Sequence, residues 1–318
     1  MKYYSYLTLF AAAALLLPSC NKDENIEIDN PDEGAVMRPA SDGSSRLASK
    51  VFEYTPAPGQ FINETASGAG NLSDMTQACQ WAQTRLDNNL YVSLGAFGGY
   101  IVVGFDHSIP ATGGYDFGVA GNSFFNEGPR TGSNEPGIVY VMQDTNRNGL
   151  PDDQWYELRG SEWDSSDNIR NYSVTYYRPE APASAVRWTD NLGNSGTVDY
   201  HSAFHAQDYY YPLWISADKY TLTGTLLPSN VSQNPDNGNW STAPFSRGYA
   251  DNCGSDNTGI DAYVQCNRFR ISDAVDAEGK AVKLDFIDFV KVQTGVNAKA
   301  GWVGEISTEV CGFIDLSI

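Results

Sequence analysis

Short apolar runs alternate with turn-forming residues along most of the chain after residue 50. Runs rich in Val, Ile, Tyr and Phe, bounded by Gly, Pro, Asn and Asp, are typical of strands joined by turns. The pattern predicts strands at YIVVGF (100–105), YDFGVA (115–120), GIVYVMQ (137–143), QWYELRG (154–160), NYSVTYYR (171–178) and KLDFIDFVKVQTG (283–295). Strands at this spacing, with few helices between them, indicate an antiparallel β-sandwich.

One segment, SDMTQACQWAQTRL, changes from the strand pattern to helical spacing. Its apolar or small residues recur every three or four positions, at Met75, Cys79, Ala82 and Leu86. Ser73 or Asp74 stands where an N-cap oxygen would accept a hydrogen bond from the first turn. The sequence therefore predicts one short helix in a mainly β domain that spans residues 51–318. Residues 180–280 contain fewer apolar runs, and we expect them to form a loop-rich insertion at one end of the sandwich.

The N-terminus has the layout of a secretory signal peptide over residues 1–19. Its apolar run, residues 7–17, is shorter than the roughly 20 residues of a membrane-spanning helix. The run ends in Leu-Pro-Ser-Cys, which resembles a bacterial lipobox and predicts lipidation of Cys20. The mature chain would then be held at a membrane by acyl chains alone.

The residues after Cys20 indicate where that anchor would place the protein. Asn21-Lys22-Asp23-Glu24 resembles the export signal of Bacteroidetes surface lipoproteins, which predicts the outer membrane with the protein facing the cell exterior. Residues 20–50 are acidic and then small and polar, so they are expected to form a flexible tether.

Charge and composition restrict the class of partner. The formal net charge of −19 disfavours nucleic acid, because nothing would neutralise the phosphates. Aromatic residues make up 13% of the chain, which suits strands and binding surfaces.

Four cysteines remain beside Cys20, and an even number in an exported chain permits two disulfides. Cys253 with Cys266 and Cys79 with Cys311 form one of three alternative pairings, and the spacing does not choose among them. Metal binding by these cysteines is disfavoured because the chain has no CxxC pair.

The stretch DTNRNGLPDD, residues 144–153, places oxygen-bearing groups at the spacing of a calcium loop. A calcium ion takes six to eight oxygen ligands from a loop that folds around it, and glycine permits the sharp turn. The predicted ligands of this structural calcium are Asp144, Asn146, Asn148, the carbonyl of Leu150, and Asp152. The pattern departs from an EF-hand at its twelfth position, where Trp155 replaces a glutamate. The alternative is a polar hairpin turn that binds nothing.

Catalytic patterns are weak, and we expect no enzyme. His201 and His205 are four residues apart and, with Asp199 or Asp208, could form a zinc site, although no HExxH-like motif supports one. No GxSxG elbow or phosphate loop is present.

Aromatic residues interleaved with Asn, Asp, Ser and Gly crowd residues 180–280. Flat rings beside amides and hydroxyls fit a ligand with broad apolar faces and a polar rim, such as a sugar ring or a corrin macrocycle. The predicted ligand-binding residues are Trp188, His201, His205, Tyr210, Trp214 and Trp240. The alternative is that these rings fill the core of an irregular segment.

Seven runs of the chain resemble the Bacteroidetes "cell surface protein" lipoproteins that accompany outer-membrane vitamin B12 (cobamide) uptake systems. The runs are VFEYTPAPGQFINE, SLGAFGGYIVVGFDHSI, GYDFGVAGNSF, SNEPGIVYVMQDTNRNGLPDDQWYELRGSE, NYSVTYYRP, WTDNLGNSG and GWVGEISTEVCGFIDL. The resemblance implies a jelly-roll-like sandwich near a TonB-dependent transporter. It suggests capture of a cobamide and its delivery to that transporter. A glycan-binding lipoprotein of a polysaccharide-utilisation system is the alternative.

Overall fold

The computed structural model describes residues 34–126, 131–203, 205 and 207–318. The predicted signal peptide, Cys20 and the first part of the predicted tether lie outside these residues. No helix within the described residues is both long and apolar enough to cross a membrane.

Twenty strands, numbered in chain order, account for most of the regular structure of the described residues, and three antiparallel sheets contain fourteen of them. Sheet A contains β1 (Lys50–Thr55), β3 (Tyr100–Pro110), β18 (Phe286–Thr294), β7 (Gly137–Met142), β8 (Tyr156–Leu158) and β17 (Ala274–Val275), in that spatial order. Sheet B contains β15 (Asn257–Ile260), β16 (Tyr263–Phe269), β4 (Phe117–Ala120) and β20 (Gly312–Asp315). Sheet C contains β11 (Ser195–Val198), β10 (Val186–Asp190), β9 (Ile169–Tyr177) and β12 (Lys219–Leu226).

Three two-stranded pairs and a few short helices complete the described elements. The pairs are β2 (Val92–Ser93) with β19 (Glu309–Val310), β5 (Phe124–Asn126) with β6 (Thr131–Ser133), and β13 (Val231–Gln233) with β14 (Trp240–Thr242). The 3₁₀ helices are Thr65–Ser67, Ala69–Asn71, Ile271–Asp273 and Gly301–Val303.

Sheets A and B share the main hydrophobic core, as expected for a β-sandwich. Val103 and Val290 of sheet A belong to the same buried cluster as Phe117, Phe269 and Phe313 of sheet B. Each such side chain contributes roughly 1.5–3 kcal/mol by leaving water. The predicted mainly β sandwich is confirmed, while jelly-roll-like connectivity stays a prediction.

The predicted helix is present as α1, Met75–Asp87. Asp74 is its N-cap, and its Oδ1 accepts a hydrogen bond from the backbone N–H of Gln77 at 2.9 Å. Ala78, Ala82 and Leu86 are buried and join the main core, so the apolar stripe faces the sandwich.

Sheet C builds a second core against the other side of sheet A. Tyr172, Val174 and Tyr176 are buried there with Phe97, and the Tyr176 hydroxyl donates to the Phe97 carbonyl at 2.8 Å. Gly98 has φ +83°, and a Cβ at this position would lie 2.7 Å from Leu222 Cβ. Only glycine therefore allows the loop to pass so close to β12.

The predicted tether is too long at its C-terminal end. Arg38 forms an ion pair with the buried Asp288 at 3.0 Å, and its backbone N–H donates to Ser108 Oγ at 2.9 Å. Leu47 forms a β-bridge with Ile314. The folded domain therefore begins at Arg38 or earlier, at least twelve residues before residue 50. The Arg38 guanidinium supplies the counter-charge that the buried Asp288 carboxylate needs.

The predicted insertion at residues 180–280 is also wrong. Strand β16 pairs with β4, with Phe269 opposite Phe117, and therefore lies within the central sandwich. Strand β17 pairs with β8 in sheet A, and β10 to β12 form most of sheet C. The polar composition of this range reflects its loops and outward-facing positions, while alternate strand residues are buried.

All four cysteines of the described domain are free thiols, so neither predicted disulfide is present. Cys266 and Cys311 are buried in one small cluster with Ile314 on the outer side of sheet B. Cys79 and Cys253 are partly buried in other parts of the chain.

Candidate functional site

Two of the predicted ligand-binding residues, Tyr210 and Trp214, are parts of the core. Tyr210 is fully buried, and its hydroxyl donates to the His205 carbonyl at 2.9 Å and accepts from the His201 N–H at 3.1 Å. Trp214 is 5% exposed and stacks on Tyr54 with ring centroids 5.6 Å apart. Neither ring is available to a ligand, and the prediction for these two residues is wrong.

The other predicted aromatic residues, Trp188 and Trp240, pack on different hydrophobic clusters. Trp188 packs at the edge of the sheet C core and covers Gly196. Trp240 packs on a third cluster and covers Gly301. Neither of them lines any of the five cavities described for the domain. The predicted set does not form a joint binding surface.

The two predicted histidines differ, since the ring of His205 has local partners and the Nε2 of His201 has none within the described residues. His205 Nδ1 lies 2.9 Å from Glu64 Oε1, and its ring packs 4.3 Å from that of Phe61. His201 Nε2 is buried and forms no hydrogen bond within the described residues. Asp199 pairs with Lys299 at 2.8 Å, which removes one of the two candidate third ligands for zinc.

The predicted calcium loop is folded by side-chain to backbone hydrogen bonds. The Asp144 carboxylate accepts from the N–H groups of Asn148 and Gly149 at 3.1 and 2.9 Å. Asp152 accepts from the side-chain amides of Asn146 and Asn148, both at 2.9 Å. For a calcium ion to bind here, the side-chain amides of Asn146 and Asn148 would have to turn their oxygens toward the ion. The calcium site therefore stays a prediction.

The structure places a different group of aromatic and polar side chains in one cavity between sheets A and C, which we call the interlayer cleft. The cleft has a volume of about 260 Å³. Its lining consists of Tyr140, Gln154, Trp155, Glu157, Trp163, Arg170, Asn171, Thr223, Gly224, Thr225, Val275, Asp276, Ala277, Lys291 and Gln293.

Strand register explains the polar floor of the interlayer cleft. Lys291 of β18 lies opposite Tyr140 of β7, and Tyr140 lies opposite Glu157 of β8. Residues opposite each other in neighbouring strands point to the same face of the sheet. Since Val290 and Val292 face the main core, these three side chains point toward sheet C.

Hydrogen bonds across the cleft join its two walls. The Thr225 hydroxyl of sheet C donates to Glu157 Oε2 at 2.8 Å. Gln293 Nε2 donates to the Gly98 and Thr223 carbonyls at 2.7 and 3.2 Å. The floor is therefore fixed in position before any ligand arrives, which lowers the entropic cost of binding.

Two ionisable groups of the floor have shifted pKa values. Burial raises the pKa of Glu157 to about 7, against the opposing effects of the Thr225 hydrogen bond and the Arg170 charge. Burial lowers the pKa of Lys291 to about 8, although Glu53 opposes the change. The Lys291 ammonium lies 4.3 Å from the ring centroid of Tyr100 and 5.2 Å from that of Tyr140. Such shifts in a cleft are typical of functional sites.

Two tryptophans belong to the lining, and Trp155 is the more open of them, since Trp163 is only 7% exposed. Trp155 is partly exposed and follows the Asp144–Asp153 loop directly. Trp163 is held by Arg170, whose guanidinium lies 3.6 Å from the ring centroid and donates to the Trp163 carbonyl at 3.3 Å. The cleft therefore combines flat apolar surfaces with amide, ammonium and carboxyl groups.

The interlayer cleft was missed by prediction from the sequence, although one signal for it is present there. Trp155 and Glu157 are two residues apart in a predicted strand, so they share a face, and a carboxyl on that face beside a tryptophan marks a cleft candidate. Lys291 gives no such signal, since an isolated lysine within an apolar strand is equally compatible with an exposed edge.

Comparison with family models and with curated proteins finds no match for this chain.

Proposed function

We propose that this protein is a non-catalytic binding protein that takes a bulky ligand with apolar faces and a polar rim at the interlayer cleft. The observation that supports it is the position of the partly exposed Trp155 beside a preformed polar floor between two sheets. The binding residues are then the side chains that line this shared concave surface, and not the residues predicted between 188 and 240.

A cobamide is the ligand that we favour. The family resemblance suggests it, and a corrin macrocycle presents flat apolar faces bordered by amide groups. Gln154, Asn171 and Arg170 are exposed members of the lining that can hydrogen-bond such a rim. A cleft of about 260 Å³ would hold one edge of the macrocycle. In this proposal the lipid-anchored protein faces the cell exterior and delivers the ligand to a TonB-dependent transporter.

A glycan is the second candidate, and the size of the cleft favours it. Ligand pockets typically measure about 300–1,000 Å³, so a cleft of about 260 Å³ suits a sugar ring better than an entire macrocycle. Trp155 would stack on the ring, while Glu157 and Asn171 would bond its hydroxyls.

Calorimetry with cyanocobalamin, followed by a glycan array, tests both candidates. We expect cyanocobalamin to bind the wild-type protein and Trp155→Ala to weaken binding about tenfold or more, since ring contacts supply about 1–2 kcal/mol. Trp302→Ala is the matched control, because Trp302 is 58% exposed and does not line the cleft.

Three results would count against parts of the proposal. Glycan binding that depends on Trp155, without cyanocobalamin binding, would replace the first ligand by the second. Binding that is unchanged in Trp155→Ala would move the site away from the cleft. The absence of binding to either ligand class would overturn the proposed function.

A further inference from the structure

Four arginines line one surface depression outside the interlayer cleft, where β8 of sheet A and β16 of sheet B end. The charged residues of its lining are Arg159, Arg247, Arg268, Arg270, Asp256 and Asp273. The chain as a whole has 20 basic and 39 acidic residues. The depression therefore reverses the charge balance of the protein, which favours an anion at this position.

Two of the four arginines, Arg268 and Arg270, form no ion pair with a carboxylate within the described residues. Their guanidinium carbons lie 4.4 and 4.6 Å from the centroid of one ring, that of Tyr115. Two like charges held against the same ring repel each other, and an anion bound beside them would remove that repulsion. The pair is therefore arranged at a cost that a bound anion would offset.

The lining carboxylate of Asp256 does not supply the counter-charge. Asp256 is 1% exposed, and its carboxylate accepts from the Gly248 N–H at 2.6 Å and from Asn267 Nδ2 at 3.2 Å. Arg268 Nε donates instead to the backbone carbonyl of Asp256, at 3.3 Å. This carbonyl is a neutral acceptor, so the Arg268 charge stays uncompensated.

The other two arginines have ion pairs that a ligand can displace. Arg159 Nη2 donates to both carboxylate oxygens of Asp164, at 2.8 and 2.7 Å, and the Asp164 side chain is 79% exposed. Arg247 Nη1 lies 3.6 Å from Asp273 Oδ2. Exposed ion pairs contribute little to stability, so both guanidiniums are available to a competing anion.

We propose that this depression, the arginine site, binds a tetrahedral dianion, that is, a phosphate or sulfate group. Guanidinium groups donate paired N–H bonds to the oxygens of such a group, and several of them match a charge of about −2 better than that of one carboxylate. The depression measures about 10 Å³, which is room for roughly one oxygen atom. The rest of the ligand would therefore lie at the surface. The arginine site is separate from the interlayer cleft and does not depend on the ligand proposed there.

A phosphate group can reach the arginine site free in solution or as the headgroup of a lipid. The formal net charge of −19 repels an anionic membrane surface as a whole. A small anion that contacts the arginines directly is opposed less. We therefore expect the free anion, or a small ester of it, to be the form that binds.

Calorimetric titration of the full-length protein with inorganic phosphate and with sulfate tests the inference, and acetate at matched ionic strength is the charge control. We expect one site per chain with a Kd of about 1 mM or tighter, and acetate binding that is weaker by about tenfold or more. Arg270→Gln should weaken phosphate binding about tenfold or more, since it removes an exposed guanidinium. Arg187→Gln is the matched control, because Arg187 lies 3.9 Å from the ring centroid of Tyr177 but does not line the depression.

Arg268→Gln provides a second variant, and Arg270→Lys, which keeps the charge without the planar fork, should recover part of the affinity lost in Arg270→Gln. Phosphate binding that is unchanged in both glutamine variants would overturn the inference. So would wild-type protein that binds neither anion, or that binds acetate as tightly as phosphate.

Sedimentation with vesicles distinguishes the two sources of phosphate. Vesicles of phosphatidylcholine and phosphatidic acid should sediment no more protein than vesicles of phosphatidylcholine alone. Additional sedimentation that is lost in Arg270→Gln would support the arginine site and assign its phosphate to a lipid headgroup.

Discussion

Two aromatic segments with similar composition have opposite roles in this molecule. In the first, residues 199–214, Tyr210 and Trp214 are buried, and Trp214 stacks on Tyr54. In the second, residues 154–163, Trp155 is partly exposed in the interlayer cleft, although Trp163 is only 7% exposed. Both segments mix rings with glutamine, serine and acidic residues, so composition does not distinguish a core from a binding surface. Trp214 and Trp155 differ in whether neighbouring parts of the fold cover the ring.

The polar atoms of the two segments differ in the same way. The hydroxyls of Tyr210 and Tyr211 donate to the backbone carbonyls of His205 and Ala217 at 2.9 and 2.6 Å. Glu157, by contrast, lines an open cleft, where burial raises its pKa to about 7. Polar groups of the first segment therefore complete the fold, while Glu157 of the second lines the cleft that we propose as the binding site.

Trp214→Ala should have the largest effect on stability, and it tests the contrast between the buried Trp214 and the partly exposed Trp155. Removing a buried, stacked tryptophan should lower the free energy of unfolding by about 3–5 kcal/mol. Trp155→Ala should lower it by less than about 1 kcal/mol, because this ring is partly exposed. Urea denaturation measures both, and equal losses in the two variants would remove the distinction between core and cleft.

A smaller effect concerns the pH dependence of stability through Glu157. Its pKa is raised in the folded state, so the folded chain binds this proton more tightly than the unfolded chain does. Stability from this group is fully present below about pH 4.5 and is lost as the pH rises toward about 7.

The glutamine in Glu157→Gln cannot ionise, so the variant should not lose this stability as the pH rises. Relative to the wild-type protein, the variant should therefore gain about 1–2 kcal/mol between pH 4.5 and 7.5. Denaturation curves across this range provide the measurement, and Glu162→Gln, which is outside the cleft lining, is the control. A stability difference that does not change with pH would mean that Glu157 is not buried as described.

The smallest expected effect concerns the loop that precedes Trp155. If the loop binds calcium as its spacing predicts, millimolar calcium should raise the thermal midpoint of the wild-type protein by about 1–3 °C. Asp152→Asn should remove the rise. An identical calcium response with and without Asp152→Asn would show that the hydrogen-bonded turn alone positions Trp155.

Local patterns predicted many elements outside residues 180–280 well, but they missed the eight strands β10 to β17 within that range. Helix α1 and the strands at 100–110, 137–142, 169–177 and 286–294 follow from periodicity and turn residues, which act between near neighbours. The interlayer cleft was not predicted, because it depends on the register in which the strands pair. Lys291, Tyr140 and Glu157 are up to 151 positions apart and become neighbours only through strand pairing.

The sequence by itself determined that this is a mainly β domain with one helix, because strand and helix periods are written into consecutive residues. Only the tertiary structure decided which rings are covered, that residues 180–280 belong to all three sheets, and that Lys291, Tyr140 and Glu157 converge in one cleft. The physical reason is that burial and convergence depend on how layers stack, and many side chains far apart in the chain determine that stacking together.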